Sequence, residues 1–155
     1  MKTIIVTGLS GSGKSEAMNI FEDMGYYCID NMPPSLIMKF KELGNQNLDH
    51  IEKVAFGIDI RGYRFFEDFN AIEQLLDSSQ HDNIEILFLE AQDEVLVRRY
   101  KMSRRSHPLA RSHNILEGIR EEKNKMKPLR QRADHIIDTG NISTRQLREK
   151  LIQLY

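Results

Sequence analysis

Residues 8–15 read Gly-Leu-Ser-Gly-Ser-Gly-Lys-Ser, between an apolar run at Lys2–Thr7 and a helix-like run from Glu16 to Met24. This stretch completes the pattern G-x-x-x-x-G-K-[ST], which is typical of a loop that joins a strand to a helix and holds phosphate. Glycines let backbone N–H groups converge on phosphate oxygens, and the helix N-terminus adds partial positive charge there. The sequence therefore predicts that the chain binds a nucleoside triphosphate.

The loop also carries the polar side chains that this chemistry needs. Lys14 is expected to reach the β- and γ-phosphates, and the Ser15 hydroxyl is expected to ligate Mg²⁺. A flexible glycine linker is the alternative interpretation, but the flanking strand-like and helix-like runs supply the context that the motif requires. The residues predicted here to bind nucleotide are Gly8, Leu9, Ser10, Gly11, Ser12, Gly13, Lys14 and Ser15.

The bulk composition narrows the class of protein. A length of 155 residues predicts one domain, and a net charge of −1 predicts no general attraction to nucleic acid or membranes. The single cysteine, Cys28, rules out an internal disulfide and suits a reducing compartment. The chain shows neither a signal sequence nor an apolar run long enough to span a membrane, so we expect a cytoplasmic protein.

Strand-like and helix-like runs alternate along the chain, which predicts an α/β fold with a parallel sheet covered by helices on both faces. The predicted strands are Lys2–Thr7, Tyr26–Asp30, Lys53–Asp59, Ile84–Glu90 and His135–Asp138. The predicted helices are Lys14–Met24, Ser35–Leu43, Arg64–Leu76, Asp93–Met102, Ile115–Lys127 and Thr144–Leu154. We expect Ser35 to cap the second helix, and Asn141 or Ser143 to cap the last.

Ligands of such folds gather at the carboxyl ends of the strands, where four further candidates lie. Asp59 is predicted to hold Mg²⁺ directly or through water, and Asp30 to position a nucleophile or acceptor. Arg61 follows Asp59 closely and is expected either to contact a phosphate or to form an ion pair. Thr139 begins a loop that is predicted to lie against the nucleotide base. Aspartates at strand ends also serve as ordinary turn residues, which is the alternative for Asp30 and Asp59.

The segment from Arg98 to Arg111 contains six Lys or Arg residues and no acidic residue. In a phosphoryl-transfer fold such a segment is expected to close over the triphosphate as a lid and neutralise developing charge. Arg104 and Arg105 are the favoured catalytic pair because the arginine fork binds phosphate at two points. A solvated face and a nucleic-acid patch are the alternatives.

Several runs together resemble the RapZ/YvcJ family of bacterial P-loop nucleotide-binding proteins. The resemblance spans the whole chain, and the run Tyr27-Cys28-Ile29-Asp30-Asn31-Met32-Pro33-Pro34 is distinctive. The runs that carry it are Gly8–Ser15, Phe21–Pro34, Asp59–Gly62, Phe88–Ala91 and Arg104–Leu109. It implies a small-kinase-like, three-layer fold with a mainly parallel five-stranded sheet in the order 2-3-1-4-5.

The resemblance also implies a function and partners. It implies binding of ATP and GTP with slow hydrolysis, with Gly8, Gly13, Lys14 and Ser15 matching the ATP loop. Asp59, Ile60, Arg61 and Gly62 match the family's GTP-type motif. Some relatives act as adaptors that present a small regulatory RNA to an RNase, and relatives continue into a second, C-terminal domain that is expected to be absent from this chain.

Two other functions stay open from the sequence. One is a small-molecule kinase that transfers the γ-phosphate to a metabolite. The other is an RNA-binding module that uses Arg98–Arg111. A protein or RNA partner is expected to bind through the C-terminal domain, and the sequence leaves the oligomeric state open.

Overall fold

The first strand, β1 (Lys2–Gly8), runs through the middle of a parallel sheet and delivers the chain to the glycine loop. In the computed structural model, residues 1–47, 50–59, 65–78, 83–102 and 114–155 are described. The other strands are β2 (Tyr27–Ile29), β3 (Lys53–Gly57), β4 (Ile84–Glu90) and β5 (His135–Asp138). The helices are α1 (Lys14–Asp23), α2 (Pro34–Asn47), α3 (Phe65–Ser78), α4 (Asp93–Met102), α5 (Ile115–Arg132) and α6 (Thr144–Leu154).

The strand order is β2-β3-β1-β4-β5, as predicted, and every neighbouring pair is parallel. Val6 of β1 pairs with Gly57 on one side and with Leu87 on the other. Because all five strands point the same way, their carboxyl ends meet at one edge, where the glycine loop begins.

Alternate residues of β1 enter two separate apolar cores, as the period of a strand requires. Ile4 and Val6 face the core that α1 and α6 complete with Phe21, Leu147 and Leu151. Ile5 faces a second core, which the other helices complete. Its buried members include Ile37, Ile72, Leu96, Ile119 and Leu129. The sheet is therefore sandwiched between two layers of helices, as expected.

Several boundaries differ from the predictions by a few residues. The strand predicted as Lys53–Asp59 ends at Gly57, although the Ile58 N–H still donates to the Val6 carbonyl at 2.9 Å. The second strand is shorter than Tyr26–Asp30, because Asn31 has a positive φ of 52° and turns the chain. Ser35 does not cap α2: that helix begins at Pro34, since proline is preorganised for the first helical position.

Helix α5 is the largest correction, because it continues past Pro128 to Arg132 instead of ending at Lys127. Proline in a helix interior costs a hydrogen bond and normally ends the helix. Here the turn beyond it is held from outside: Leu129 is fully buried, and Arg130 and Arg132 pair with Glu90 and Glu73. Of the two caps expected for α6, Asn141 and Ser143, the structure shows Ser143, with Gln146 completing a capping box.

Candidate functional site

The glycine loop takes a shape that requires its glycines. Gly11 and Gly13 have φ values of 79° and 97°, in the left-handed region that other residues avoid. Gly8 has a φ of 140°, and a Cβ on it would overlap the backbone carbonyl of Leu89. The loop therefore lies directly on the neighbouring strand β4, with no room for a side chain at its first residue.

Between Gly8 and Gly13, every backbone carbonyl except that of Ser10 accepts a hydrogen bond. The Lys14 ammonium donates to the carbonyls of Gly8 and Leu9, at 3.1 and 3.0 Å. Arg99 donates to Gly11 O at 2.9 Å, and the Thr139 hydroxyl donates to Ser12 O at 2.6 Å. Gly13 O accepts from the Ala17 N–H of helix α1. These contacts fix the peptide planes of the loop.

Unlike the carbonyls, several backbone N–H groups of the loop have no hydrogen-bond partner among the described residues. Within the described part of the chain, the N–H groups of Gly11, Gly13 and Ser15 have no hydrogen-bond partner, and no side chain caps the start of α1. Ser12 N is used within the loop and Ser10 N is bound by a side chain. Unpartnered amides at a helix N-terminus form a site for an anion such as phosphate.

Arg99 and Thr139 bridge the loop to the far edge of the sheet. Two guanidinium nitrogens of Arg99 donate to Gly11 O, Thr139 Oγ1 and Thr139 O, at distances of 2.9, 3.1 and 2.8 Å. Burial is the main cause that lowers the pKa of Arg99, and repulsion from Arg98 adds to it. The sequence singled out Thr139 but missed Arg99 within the basic segment, because nothing in the local pattern distinguishes it from Arg98.

Glu122 is a second residue that the sequence reasoning missed. It lies in α5, it is 6% exposed, and its two carboxylate oxygens accept from Ser10 N and Ser10 Oγ, each at 2.7 Å. Its only sequence signal is an acidic residue on the apolar side of α5, in the same row as Ile119, Met126 and Leu129. A buried carboxylate needs such partners, because an unpaired buried charge is costly.

Ser15 and the two aspartates are placed as follows. The Ser15 hydroxyl is exposed and has no partner among the described residues. By extension of the β1–β3 register, Asp59 lies level with Gly8 on the adjacent strand, whereas Asp30 lies one strand farther out. Asp30 accepts the Asn31 N–H at 2.8 Å, as a turn residue does. Their roles stay predictions.

Five other predicted residues lie outside the described residues. Ile60, Arg61 and Gly62 belong to residues 60–64, and Arg104 and Arg105 belong to residues 103–113. Within the described ranges, no three His, Cys, Asp or Glu side chains form a preformed metal cluster. Mg²⁺ in phosphate-loop proteins is usually held by one or two protein oxygens together with phosphate and water, so Ser15 and Asp59 fit that chemistry.

A cavity of about 340 Å³ adjoins the loop beneath α5. Leu9, Phe88 and Met126 supply apolar surface, and Lys127, Arg130 and Asp138 supply charged groups. Apolar walls with a few polar groups are typical of small-molecule pockets. Across the described portions of the chain, every helix is too short or too polar to cross a bilayer.

Comparison with known sequences identifies relatives over the whole chain. The family described as "RapZ-like N-terminal domain" matches residues 1–155. A nucleotide-binding protein of Clostridium perfringens strain SM101 is 54% identical over 156 residues, covering 100% of this chain and 52% of the relative. A nucleotide-binding protein of Syntrophomonas wolfei is 52% identical over 151 residues, covering 97% of this chain and 51% of the relative. This chain thus spans about half the length of the curated relatives it matches.

Comparison with solved structures identifies small kinases. Shikimate kinase from Bacteroides thetaiotaomicron matches with a TM-score of 0.66 and 16% identity, covering 99% of this chain and 97% of that one. Shikimate kinase from Acinetobacter baumannii, in complex with shikimate, matches with a TM-score of 0.62 and 20% identity, covering 99% of this chain and 92% of that one. At these identities the likeness shows the fold alone, which is the kinase-like fold that the sequence predicted.

Proposed function

Because the chain belongs to the RapZ-like N-terminal domain family, we propose that its glycine loop binds the polyphosphate of ATP or GTP and supports slow hydrolysis. The observation that supports the proposal is the difference between the hydrogen bonding of the loop's carbonyls and that of its N–H groups. Its carbonyls are engaged by Lys14, Arg99 and Thr139, while the N–H groups of Gly11, Gly13 and Ser15 are unpartnered within the described ranges. A set of fixed amide donors costs little reorganisation when an anion binds.

Mg²⁺ is the proposed cofactor, held by the exposed Ser15 hydroxyl and, directly or through water, by Asp59. The metal would neutralise charge on the β- and γ-phosphate oxygens. Lys14 would exchange its two loop carbonyls for phosphate oxygens, which are stronger acceptors because they are charged. Asp30 would orient the attacking group, and Arg104 and Arg105 would neutralise charge from the lid. Residues 59–62 would contact the nucleotide as the family's GTP-type motif.

The test is the affinity of Lys14→Ala for ATP and GTP with Mg²⁺, measured by isothermal titration calorimetry. We expect a loss of at least about 100-fold, since a charge-assisted contact to phosphate in a partly buried site is worth about 3 kcal/mol. Lys150→Ala, on the exposed surface of α6, is the matched control and is expected to bind like the wild type. Unchanged affinity in Lys14→Ala would refute the proposal.

A small-molecule kinase is the second candidate, and the cavity of about 340 Å³ beside Leu9 favours it. That volume is in the range of small-metabolite pockets. The deciding experiment incubates the protein with ATP labelled at the γ-phosphate and a panel of metabolites. Transfer to one metabolite supports the kinase, whereas label that appears only as inorganic phosphate supports the regulatory hydrolase.

The regulatory role concerns the longer proteins that the relatives represent. We propose that residues 1–155 form their nucleotide-binding domain, and that protein or RNA partners contact the second domain implied by the resemblance. An RNA contact through Arg98 and Lys101, which are both exposed, is the third candidate. It predicts RNA binding that weakens steeply with salt, and absence of binding at low salt would remove it.

A further inference from the structure

The cavity of about 340 Å³ beneath α5 lies on the opposite face of the sheet from helix α1. Its apolar lining residues, Leu9, Phe88, Ala91 and Met126, belong to the core on the α5 face. Helix α1 packs into the other core, which includes its residue Ala17. The cavity is therefore separate from the unpartnered amides at the start of α1, although Leu9 of the glycine loop forms part of its wall.

The apolar part of the wall suits a small, uncharged body. Leu9, Phe88, Ala91 and Met126 are each at most 3% exposed, and their side chains carry no charged or hydrogen-bonding group. A ligand that covers such side chains is stabilised in proportion to the apolar area it removes from water. A volume of about 340 Å³ is at the small end of the range for ligand pockets, so the body that fits is ring-sized.

Two of the basic side chains that line the cavity are already paired. Arg130 donates to both carboxylate oxygens of Glu90, at 2.7 and 3.0 Å. Lys123 donates to Asp93 at 2.6 Å. These ion pairs neutralise each other, so they leave little charge for a ligand.

Lys127 and Asp138 are the other charged residues of the lining. Asp138 binds within its own loop, where it accepts the Gly140 N–H at 2.8 Å. Lys127 lies on α5, is exposed, and has no partner among the residues that the structure describes. Its ammonium group is thus available to a negatively charged ligand without the loss of an internal contact.

We propose that this cavity binds a small organic anion. The apolar, ring-sized body of the ligand packs on Leu9, Phe88 and Met126, and its carboxylate or phosphate group pairs with Lys127. Contact with a charged donor is stronger than contact with a neutral one, so Lys127 selects anions over neutral molecules of the same shape. The bound anion lies beside the proposed nucleotide site without occupying it, because the two sites share only Leu9.

The test uses benzoate as the ligand, with benzyl alcohol and acetate as matched molecules that lack the charge and the ring. Binding is followed by NMR at the labelled methyl group of Met126. We expect benzoate to shift this signal saturably with a Kd of about 1 mM or tighter, as ligand efficiency allows for about ten non-hydrogen atoms. Benzyl alcohol is expected to bind about threefold more weakly, since an ion pair with an exposed lysine contributes modestly. Acetate is expected to leave the signal unshifted.

Two variants locate the ligand. Lys127→Met keeps the apolar stem and removes the charge, so it is expected to weaken benzoate about threefold and to leave benzyl alcohol unchanged. Lys125→Met, on the same helix but paired with Glu121 and outside the cavity lining, is the matched control. Ala91→Leu fills the cavity and is expected to abolish binding of both ring compounds. Lys127 is exposed, so Lys127→Met gives a folded protein to measure even if Ala91→Leu does not.

The results that overturn the proposal are equally definite. They are an unshifted Met126 signal with benzoate, equal affinity for benzoate and benzyl alcohol, or a benzoate affinity that Lys127→Met leaves unchanged. Repeating the titration with saturating AMP-PNP and Mg²⁺ is expected to give the same Kd, and competition between the two ligands would overturn the separation of the sites. Because the first titration contains no nucleotide, its failure is distinct from a failure of the proposed nucleotide binding.

Discussion

The carboxylate of Asp30 lies so close to the Cα of Gly57 that a Cβ on Gly57 would overlap Asp30 Oδ1. The two residues are level on the paired strands β2 and β3, since Ile29 pairs with Phe56 just before them. Gly57 is therefore needed for close approach, and it sets the place of one predicted catalytic carboxylate.

Gly57→Ala is expected to push the Asp30 side chain away and to destabilise the protein by about 1–3 kcal/mol, as overpacking does. Urea denaturation measures this. Gly44→Ala is the control, because Gly44 lies inside helix α2 with only ordinary contacts, and alanine there is expected to stabilise by about 0.5–1 kcal/mol. A neutral Gly57→Ala would contradict the observed contact.

Arg99→Met is expected to lower stability by about 1–3 kcal/mol, because Gly11 O and Thr139 O lose a charged donor. Nucleotide affinity is expected to fall as well, because the loop is less firmly held. Arg98→Met removes the same charge from an exposed neighbour and is expected to change neither quantity. Thermal unfolding measures the change in stability, and calorimetric titration measures the change in nucleotide affinity. Equal effects of the two variants would refute a specific role for Arg99.

The Asp93–Lys123 pair predicts a stability change that depends on pH. The Asp93 carboxylate contacts Lys123 Nζ at 2.6 Å, and that hydrogen bond is the main cause that lowers its pKa. A lowered folded-state pKa stabilises the protein above the unfolded-state pKa, near 4, and this stabilisation is lost as the pH falls through the folded value. Asp93→Asn should therefore cost about 1 kcal/mol at pH 7, and this cost should shrink as the pH falls below about 4.

The control for that pair is Glu94→Gln, which removes an exposed charge from the same helical turn. Chemical denaturation of all three proteins at several pH values gives the comparison. A penalty for Asp93→Asn that stays constant from neutral to acidic pH would rule out the ion pair as its origin.

The Cys28 thiol is expected to react slowly. Burial is the main cause that raises its pKa to about 11, with Glu22 and Asp30 adding repulsion. Alkylation by iodoacetamide needs the thiolate, so at pH 8 the rate should be about 100-fold below that of a free thiol and should rise through pH 10. The unfolded protein should react at the ordinary rate, and Asp30→Asn should shift the profile to slightly lower pH. A midpoint near pH 8.5 in the folded protein would contradict this.

The parts of the structure that the sequence predicted well have local causes. The conformation of the loop at residues 8–15 follows from its own residues, since glycine alone adopts the φ values seen at Gly11 and Gly13 without cost. Ser143, one of the two caps expected for α6, bonds Gln146 only three residues away, so this cap also depends on local sequence. Alternation of strands and helices likewise leads to a parallel sheet through short-range patterning.

The parts that it missed depend on distant partners. Local rules predict that a helix ends before Pro128. Helix α5 nevertheless continues, because Leu129 is buried in a core and Arg130 binds Glu90 at 2.7 Å. Arg99 and Glu122 resemble many other charged residues in their segments. Their contacts with Gly11 and Ser10 span 88 and 112 residues, which no window of sequence contains.

The amino-acid sequence by itself determined that a glycine loop joins β1 to α1 and that the sheet is parallel, because glycine conformation and apolar periodicity act over a few residues. Only the tertiary structure decided how that loop is held and what competes for its amides. Arg99, Thr139 and Glu122 reach it from separate elements, and their hydrogen bonds exist only once the sheet and helices have packed.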